Sequence, residues 1–349
     1  MKNKLLILSL LTVAIFAGFT SKVLERKANE GKSVKKTGNV ISLANDFKAT
    51  LSPTQITELE FEYSMNNIIV WSNLPASLSP RLGIRIGDLN DVQLKTVKSL
   101  IKEMTGSTPN EGWDEIQQVW LADDFLNTKE AGGKYGAGNY YIAFLGKPSM
   151  NGMFEIIVTG HHYTIANTYK NGKLVGATPR FEAVEPFVFQ SNGKTYSPIS
   201  QERDAMSALL KGLTETQLSS AKSPNTFTNI LLTPSKNWVF PENHTGLQLV
   251  GLTPSQKKLV INAIKTYTDD INDDDARLLL SKYVDELDNT YVTYSGTTSL
   301  DTRNDYIRID GPQIWIEFSV QRGQVLPNEP YHFHSIWRDR ESDYGGTRK

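Results

Sequence analysis

The chain has 349 residues, a formal net charge of −1 and no cysteine. This composition excludes disulfide bonds, thiolate metal ligands and a cysteine nucleophile, because all three need cysteine sulfur. The near-neutral charge, with no concentration of basic residues after the N-terminus, argues against nucleic acid or an anionic membrane surface as a partner.

The N-terminus has the layout of a secretory signal peptide. Two lysines, Lys2 and Lys4, precede a mostly apolar stretch at residues 5–19, which is shorter than the roughly 20 residues of a membrane-spanning helix. We therefore predict a signal peptide over residues 1–21, a secreted or periplasmic location, and no membrane span in the mature chain. An uncleaved N-terminal anchor is the alternative. Residues 22–45, rich in Lys, Gly and Ser, predict a disordered linker.

Four segments share one helix-start pattern, in which a capping residue is followed three positions later by glutamine. In this capping box the cap oxygen accepts a free backbone N–H of the helix, and the glutamine accepts the N–H of the cap. The pattern therefore predicts four helix N-termini, at residues 51–55, 89–93, 213–217 and 252–256.

The four helix starts form two pairs about 160 residues apart, which predicts an internal duplication. Aromatic strands follow the second helix of each pair, at residues 140–146 and 291–296. Asn171-Gly172 and Asn192-Gly193 are typical of tight hairpin turns. We predict an α+β fold of antiparallel sheets flanked by helices. Residues 46–349 would form a single globular unit of two pseudo-repeats, about 46–205 and 206–349.

Four of the five histidines occur in two clusters. His332 and His334 flank one residue of an extended stretch, and alternate strand residues share a face, so both imidazoles can chelate one ion. His161 and His162 end a predicted strand, where adjacent residues point to opposite faces. One of them could ligate while the other binds substrate or supports a ligand. Histidines that are merely solvated or buried are the alternative for both clusters.

Three further residues are candidates for chemistry near the histidines. Glu185 lies in a segment that returns beside the strand beginning after His162, and its carboxylate could be a ligand or a general base. Arg338 could hold an anionic group of a substrate, and Asp339 could be ligand or base. Equally, Arg338 and Asp339 could form a structural pair that fixes the C-terminal tail.

The acidic run at residues 269–275 does not fit a known calcium loop. It has no glycine at its sixth position and no terminal glutamate in register, as an EF-hand requires. We interpret it as the connection between two helices, with residues 273–275 favouring the N-terminus of the second. A serine triad is not supported, since no Gly-x-Ser-x-Gly elbow occurs.

Several of these motifs resemble an exported bacterial family catalogued as domain of unknown function 3500. They are Gly160-His161-His162 after a strand, Glu185-Pro186 in the following hairpin, and residues 332–345. The resemblance covers about residues 45–345 and is most specific over 332–345. It implies a secreted, mostly bacterial protein and supplies no reaction.

The sequence therefore predicts an exported protein with a transition-metal site, holding Zn, Cu or Mn on His161, His162, His332 and His334. A metal-dependent hydrolase of a small molecule, peptide or glycan is the leading hypothesis, with catalytic residues Glu185, Arg338 and Asp339. A redox metal would instead permit oxygen chemistry. The alternatives are a non-catalytic metal- or ligand-binding envelope protein, and a structural envelope protein whose histidines are incidental.

Overall fold

A computed structural model describes residues 39–130, 132–327 and 332–348. The predicted signal peptide and residues 22–38 of the predicted linker lie outside this range. The end of that linker lies inside it, and the prediction of disorder is wrong there, because residues 39–49 form a helix, α1. Apolar residues with helical spacing give α1 a buried face, formed by Val40, Ile41, Ala44 and Phe47. Across the described ranges, we find no helix with the length and apolar character to cross a membrane.

Four of the described helices after α1 begin where the capping pattern predicted. All four capping boxes are present, at the N-termini of α2, α4, α7 and α8. The helices are α2 (Pro53–Leu59), α3 (Met65–Ile68), α4 (Asp91–Met104), α5 (Trp113–Asn127), α6 (Ser200–Lys211), α7 (Glu215–Ala221), α8 (Pro254–Thr268) and α9 (Asp273–Asp285).

A twelve-stranded, mainly antiparallel sheet runs through the protein, and this mixture of helices and sheet confirms the predicted α+β class. Its strand order is β1-β3-β4-β5-β7-β14-β13-β12-β11-β10, with β2 beside β3 and β6 beside β5. A separate hairpin pairs β8 with β9. The strands are β1 (Glu60–Phe61), β2 (Ile84–Arg85), β3 (Tyr141–Leu145), β4 (Met153–Thr159), β5 (Tyr163–Lys170), β6 (Lys173–Gly176), β7 (Arg180–Val184), β8 (Phe189–Ser191), β9 (Lys194–Tyr196), β10 (Leu247–Gln248), β11 (Tyr291–Ser295), β12 (Tyr306–Asp310), β13 (Ile314–Gln321) and β14 (His332–Asp339).

The two faces of the sheet are covered by different kinds of structure. Helices α8 and α9 pack with Phe333 and Trp337 of β14 on one face. Segments around residues 61–82 and 230–238 pack with Ile336 on the opposite face. Because side chains of a strand alternate between faces, β14 is buried on both sides.

Elements follow the same order in the two predicted pseudo-repeats. In each pseudo-repeat the aromatic strand is preceded by a short helix with a capping box, a short strand, a 3-10 turn and a longer capped helix. These elements run from α2 to β3 in the first pseudo-repeat and from α7 to β11 in the second. The capping glutamines also meet in pairs, Gln93 with Gln55 at 3.0 Å and Gln256 with Gln217 at 2.7 Å. These correspondences fit a duplication, and both the duplication and the repeat boundaries stay predictions.

A buried carboxyl on β4 gives the fold a pH dependence. Glu155 accepts a hydrogen bond from the Thr168 hydroxyl at 2.7 Å, and burial raises its pKa to about 8. Between about pH 4.5 and 8 the folded protein therefore keeps a proton that the unfolded chain has lost, and stability falls as pH rises through this window.

We expect Glu155→Gln to remove this fall and to be more stable than the parent by about 2 kcal/mol at pH 8. Urea unfolding from pH 5 to 9 measures the difference. Glu58→Gln, at an exposed position of α2, is the control and should follow the parent. Equal slopes for Glu155→Gln and the parent would contradict the assignment.

Candidate metal centre

The fold brings the two histidine clusters together through one row of residues across the sheet. Ala183 of β7 pairs with His334 of β14, and the backbone N–H of Ala183 donates to the carbonyl of His162 at 2.7 Å. Residues opposite each other on neighbouring strands point to the same face, so His162 and His334 stand about 10 Å apart on either side of Ala183. Because the alanine side chain is only a methyl group, the imidazoles can meet above it.

His332 and His334 point to the same face of β14, as their spacing predicted. Their rings are perpendicular with centroids 4.6 Å apart, and the two Nε2 atoms are separated by 3.1 Å. Both rings are buried, with 4% and 6% of their surface exposed.

The other nitrogen of His334 faces an oxygen that can only accept a hydrogen bond. Nδ1 lies 3.1 Å from Oδ1 of Asn229. The same Oδ1 accepts from the Ile230 N–H at 2.8 Å and from Nε2 of Gln321 at 2.6 Å, which fixes it as the amide oxygen. The proton of neutral His334 therefore belongs on Nδ1, and its Nε2 carries a lone pair.

The same reasoning applies to His332. Its Nδ1 lies 3.4 Å from the carbonyl oxygen of Arg322, which is also an acceptor. With the proton on Nδ1, the lone pairs on Nε2 of His332 and His334 face each other at 3.1 Å. A pair of nitrogen lone pairs at this distance repels, unless a cation lies between or beside them.

His162 is oriented by a buried carboxylate that the sequence did not single out. Its Nδ1 donates to Oδ1 of Asp123 at 2.6 Å, and the Tyr140 hydroxyl donates to Oδ2 at 2.6 Å. Gly160 permits this, because a Cβ there would overlap the Tyr140 ring. Burial opposes ionisation of Asp123, but the two neighbouring imidazoles and the hydrogen bonds from His162 and Tyr140 lower its pKa overall. The His162 ring lies 5.4 Å from that of His332.

His161 lies beside His162 rather than across the site from it. The two ring centroids are 3.8 Å apart, and the Tyr135 ring covers His161 at 4.9 Å. Its Nε2 is 3.4 Å from Oδ1 of Asp123 and has no hydrogen-bond partner among the described residues. Potential ligand atoms of Asp123, His161 and His162 all lie within 4.8 Å of one another, so this group could hold a metal ion.

Burial keeps His161, His332 and His334 neutral, the form in which histidine binds metals. It lowers the pKa of His161 and of His332 to about 3 and that of His334 well below its usual value. Neutral imidazoles need no deprotonation before they ligate a cation.

Glu185 lies near the histidines, as its place in the hairpin predicted. It approaches His332 from the side of the ring that faces away from His334. Its Oε1 accepts the N–H groups of Val325 and Leu326 at 2.8 and 2.7 Å. Its Oε2 lies 3.8 Å from Nδ1 of His332, the nitrogen that faces away from His334. In this position Glu185 holds the 323–326 turn and places a carboxylate near the outer nitrogen of His332, without a hydrogen bond to it.

Arg338 and Asp339 are not beside the histidines. Arg338 shares their face of β14 but follows His334 by four residues, about 13 Å along the strand, and donates to Asp343 at 2.7 Å. Asp339 points to the helix side and accepts from the Tyr283 hydroxyl at 2.8 Å. The predicted pairing of Arg338 with Asp339 is also replaced, by an ion pair of Arg338 with Asp343.

The residues missed by the sequence predictions are the partners of the histidines, Asp123, Tyr140 and Asn229. One signal for Asp123 exists, since Asp123 and Asp124 are the two charged residues that interrupt an otherwise apolar helical stretch at residues 119–126. A carboxylate at such a position is buried only when it has a partner.

Comparison with known proteins identifies a family and no activity. Residues 33–346 match the model of a family described as "Protein of unknown function (DUF3500)". Neither the curated proteins nor the solved structures include a significant match. Because the match spans most of the chain, this protein belongs to the DUF3500 family.

Proposed function

We propose that this protein binds one transition metal ion through Nε2 of His162, His332 and His334. The observation that carries the proposal is the 3.1 Å separation of the His332 and His334 Nε2 atoms, while both Nδ1 atoms face oxygen acceptors. An outer acceptor on Nδ1 is the usual arrangement of a ligating histidine, since it fixes the tautomer and aims Nε2 at the metal.

The ring spacings agree with shared ligation. Two imidazoles on one ion at about 2.0–2.1 Å have nitrogens about 2.9–3.4 Å apart and centroids about 4.5–5.2 Å apart for angles of 90–109°. The centroid distance of 4.6 Å for His332 with His334 lies inside this range, and the 5.4 Å of His162 with His332 lies just beyond it, so the His162 ring would move slightly inward to share the ion. At 3.8 Å, the His161 and His162 rings are closer than this range, so we leave His161 out of the ligand set, although the potential ligand atoms of Asp123, His161 and His162 also lie within 4.8 Å of one another.

An all-imidazole ligand set favours Zn²⁺ or Cu²⁺ over Mn²⁺, which prefers oxygen donors. Three protein ligands leave a coordination position open, and a Zn²⁺ ion there would supply a bound water with a pKa of about 7. A metal-dependent hydrolase is therefore the finer proposal. Asp123 orients His162, the Arg322 carbonyl faces the outer nitrogen of His332, and His161 offers the nitrogen without a hydrogen-bond partner among the described residues.

A non-catalytic metal-binding protein is the second candidate. It is favoured by burial, because the four rings expose only 2–6% of their surface. Such a site suits storage of an ion or a structural role, and it would bind metal without turning over a substrate.

Titration of the metal-stripped protein with Co²⁺ tests the ligand set, because d–d absorption reports imidazole coordination. We expect one saturable site that Zn²⁺ displaces. Asp123→Asn should weaken binding about 10–100-fold, since it removes the charge that holds His162 and mismatches the Tyr140 hydroxyl. His244→Ala is the control, because this histidine pairs with Asp310 instead. Absence of saturable Co²⁺ binding would reject the centre.

A further inference from the structure

A second buried cluster, formed only by carboxylates, lies on the helix side of the sheet. Potential ligand oxygens of its four residues all lie within 4.8 Å of one another, and all four residues are buried. They come from separate segments: Glu111 precedes α5, Glu115 begins α5, Glu202 begins α6, and Asp270 connects α8 to α9.

The oxygens of this carboxylate cluster lack donors. Both oxygens of Glu115, both of Glu202 and Oδ2 of Asp270 have no hydrogen-bond partner among the described residues. The contacts that exist are few: Oε2 of Glu111 accepts from Gln201 at 3.3 Å, and Oδ1 of Asp270 accepts from the Gly112 N–H at 2.6 Å. A buried carboxylate without donors or a counter-charge is costly, so these oxygens point to a missing cation.

A buried arginine, Arg180, interacts electrostatically with Asp270 but does not fill this role. Arg180 of β7 is fully buried and directs its Nη1 to the Tyr163 hydroxyl at 3.4 Å. Its Nε and Nη2 make no hydrogen bond within the described ranges, so it donates to none of the four carboxylates. Glu115 and Glu202 also lie in the first turns of their helices, where the helix dipole favours the ionised carboxylate.

We propose that this carboxylate cluster binds a hard divalent cation, Ca²⁺. The four ligand oxygens lie within 4.8 Å of one another, and oxygens on opposite sides of a Ca²⁺ ion are separated by about 4.8 Å, so one such ion could contact all four. Ca²⁺ accepts six to eight oxygens with flexible geometry, so bidentate carboxylates can complete its shell. Mg²⁺ keeps several waters and uses one or two carboxylates, which suits an all-carboxylate, enclosed site less well.

The site would join distant parts of the chain. Asp270 comes from the acidic run at residues 269–275, whose neighbour Asp273 accepts from the N–H and hydroxyl of Ser107 at 3.0 and 2.6 Å. The backbone N–H of Gly106 donates to the Asp270 carbonyl at 3.0 Å. A cation bound by Glu111, Glu115, Glu202 and Asp270 would fasten this loop contact. In a chain without cysteine, the bound cation would cross-link these segments as a disulfide bond does in other proteins.

Thermal unfolding with and without Ca²⁺ tests this site. Chelator-treated, full-length protein is mixed with 1 mM CaCl₂, MgCl₂ or ZnCl₂. This concentration is close to the dissociation constants of extracellular calcium-binding modules, about 10⁻⁴–10⁻³ M. We expect Ca²⁺ to raise the Tm by about 5 °C or more, through preferential binding to the folded state, and Mg²⁺ to raise it less. Titration calorimetry should give one Ca²⁺ per chain.

Variants separate this site from the histidine centre. Glu115→Gln/Glu202→Gln should fold, because it removes two buried charges, and should lose the Ca²⁺ response. Asp204→Asn, on the exposed side of α6, and His332→Ala/His334→Ala should both keep it. The proposal is overturned if the parent shows no Ca²⁺-dependent shift, if the shift persists in Glu115→Gln/Glu202→Gln, or if it is lost in the histidine variant.

Discussion

The double substitution His332→Ala/His334→Ala is expected to abolish transition-metal binding. It removes both nitrogens of the 3.1 Å pair and leaves His162 as a single imidazole ligand. Metal content measured by elemental analysis should fall from about one equivalent to below about 0.1, because a single remaining ligand of the proposed set cannot retain the ion. The variant should also lose the rise in Tm that the parent gains from added Zn²⁺ or Cu²⁺.

Two controls make this result interpretable. His244→Ala removes a histidine that stacks on Tyr291 outside the cluster, and it should keep a full equivalent of metal. His332→Gln/His334→Gln fills more of the space left by the rings and reports whether loss of metal follows from loss of packing. A metal content equal to that of the parent in either double variant would rule out this ligand set. Hydrolytic activity, if found in the parent, must disappear together with the metal.

Removing the partner of the buried Arg338 is expected to destabilise the protein by about 3–5 kcal/mol. Arg338 and Asp343 are both buried and joined at 2.7 Å. Oδ1 of Asp343 also accepts the backbone N–H of Asp339 at 3.1 Å. Asp343→Ala leaves the guanidinium uncompensated, and urea unfolding at constant pH measures the loss.

The paired substitution Arg338→Met/Asp343→Leu is the matched comparison. It removes both charges and keeps apolar volume, so it should cost less than Asp343→Ala. The partly destabilised variants should retain the transition metal, since Arg338 lies about 13 Å along β14 from His334. A loss of unfolding free energy below about 1 kcal/mol for Asp343→Ala would contradict the structural role of this ion pair. Loss of metal without unfolding would indicate that Arg338 belongs to the candidate site.

Local patterns predicted the parts of the structure that local physics decides. The capping boxes at Ser52, Asn90, Thr214 and Thr253 satisfy the helix ends within four residues of sequence. The Asn-Gly pairs form hairpin turns for the same reason, with positive φ at Asn171 and Gly172. The shared face of His332 and His334 follows from strand geometry alone.

Long-range pairing decides the rest, and a single sequence does not carry it. The path from His162 to His334 passes through Ala183, a contact set by the pairing of β7 with both β5 and β14. For the same reason the sequence did not identify Asp123 or the four members of the carboxylate cluster as site residues, because their partners are far away in sequence. Nearness in sequence was misleading for Asp339, because strand alternation sends it to the opposite face from His334.

The position of β14 in the sheet has a consequence for biosynthesis. It is the last strand of the described chain, yet it lies between β7 and β13 and supplies the only hydrogen-bonded link in the described sheet between its two groups of strands. Ribosomal synthesis therefore leaves two unconnected sheet edges until the final strand emerges. His332 and His334 arrive with that strand, so a nascent or truncated chain has no paired imidazoles with which to capture an ion.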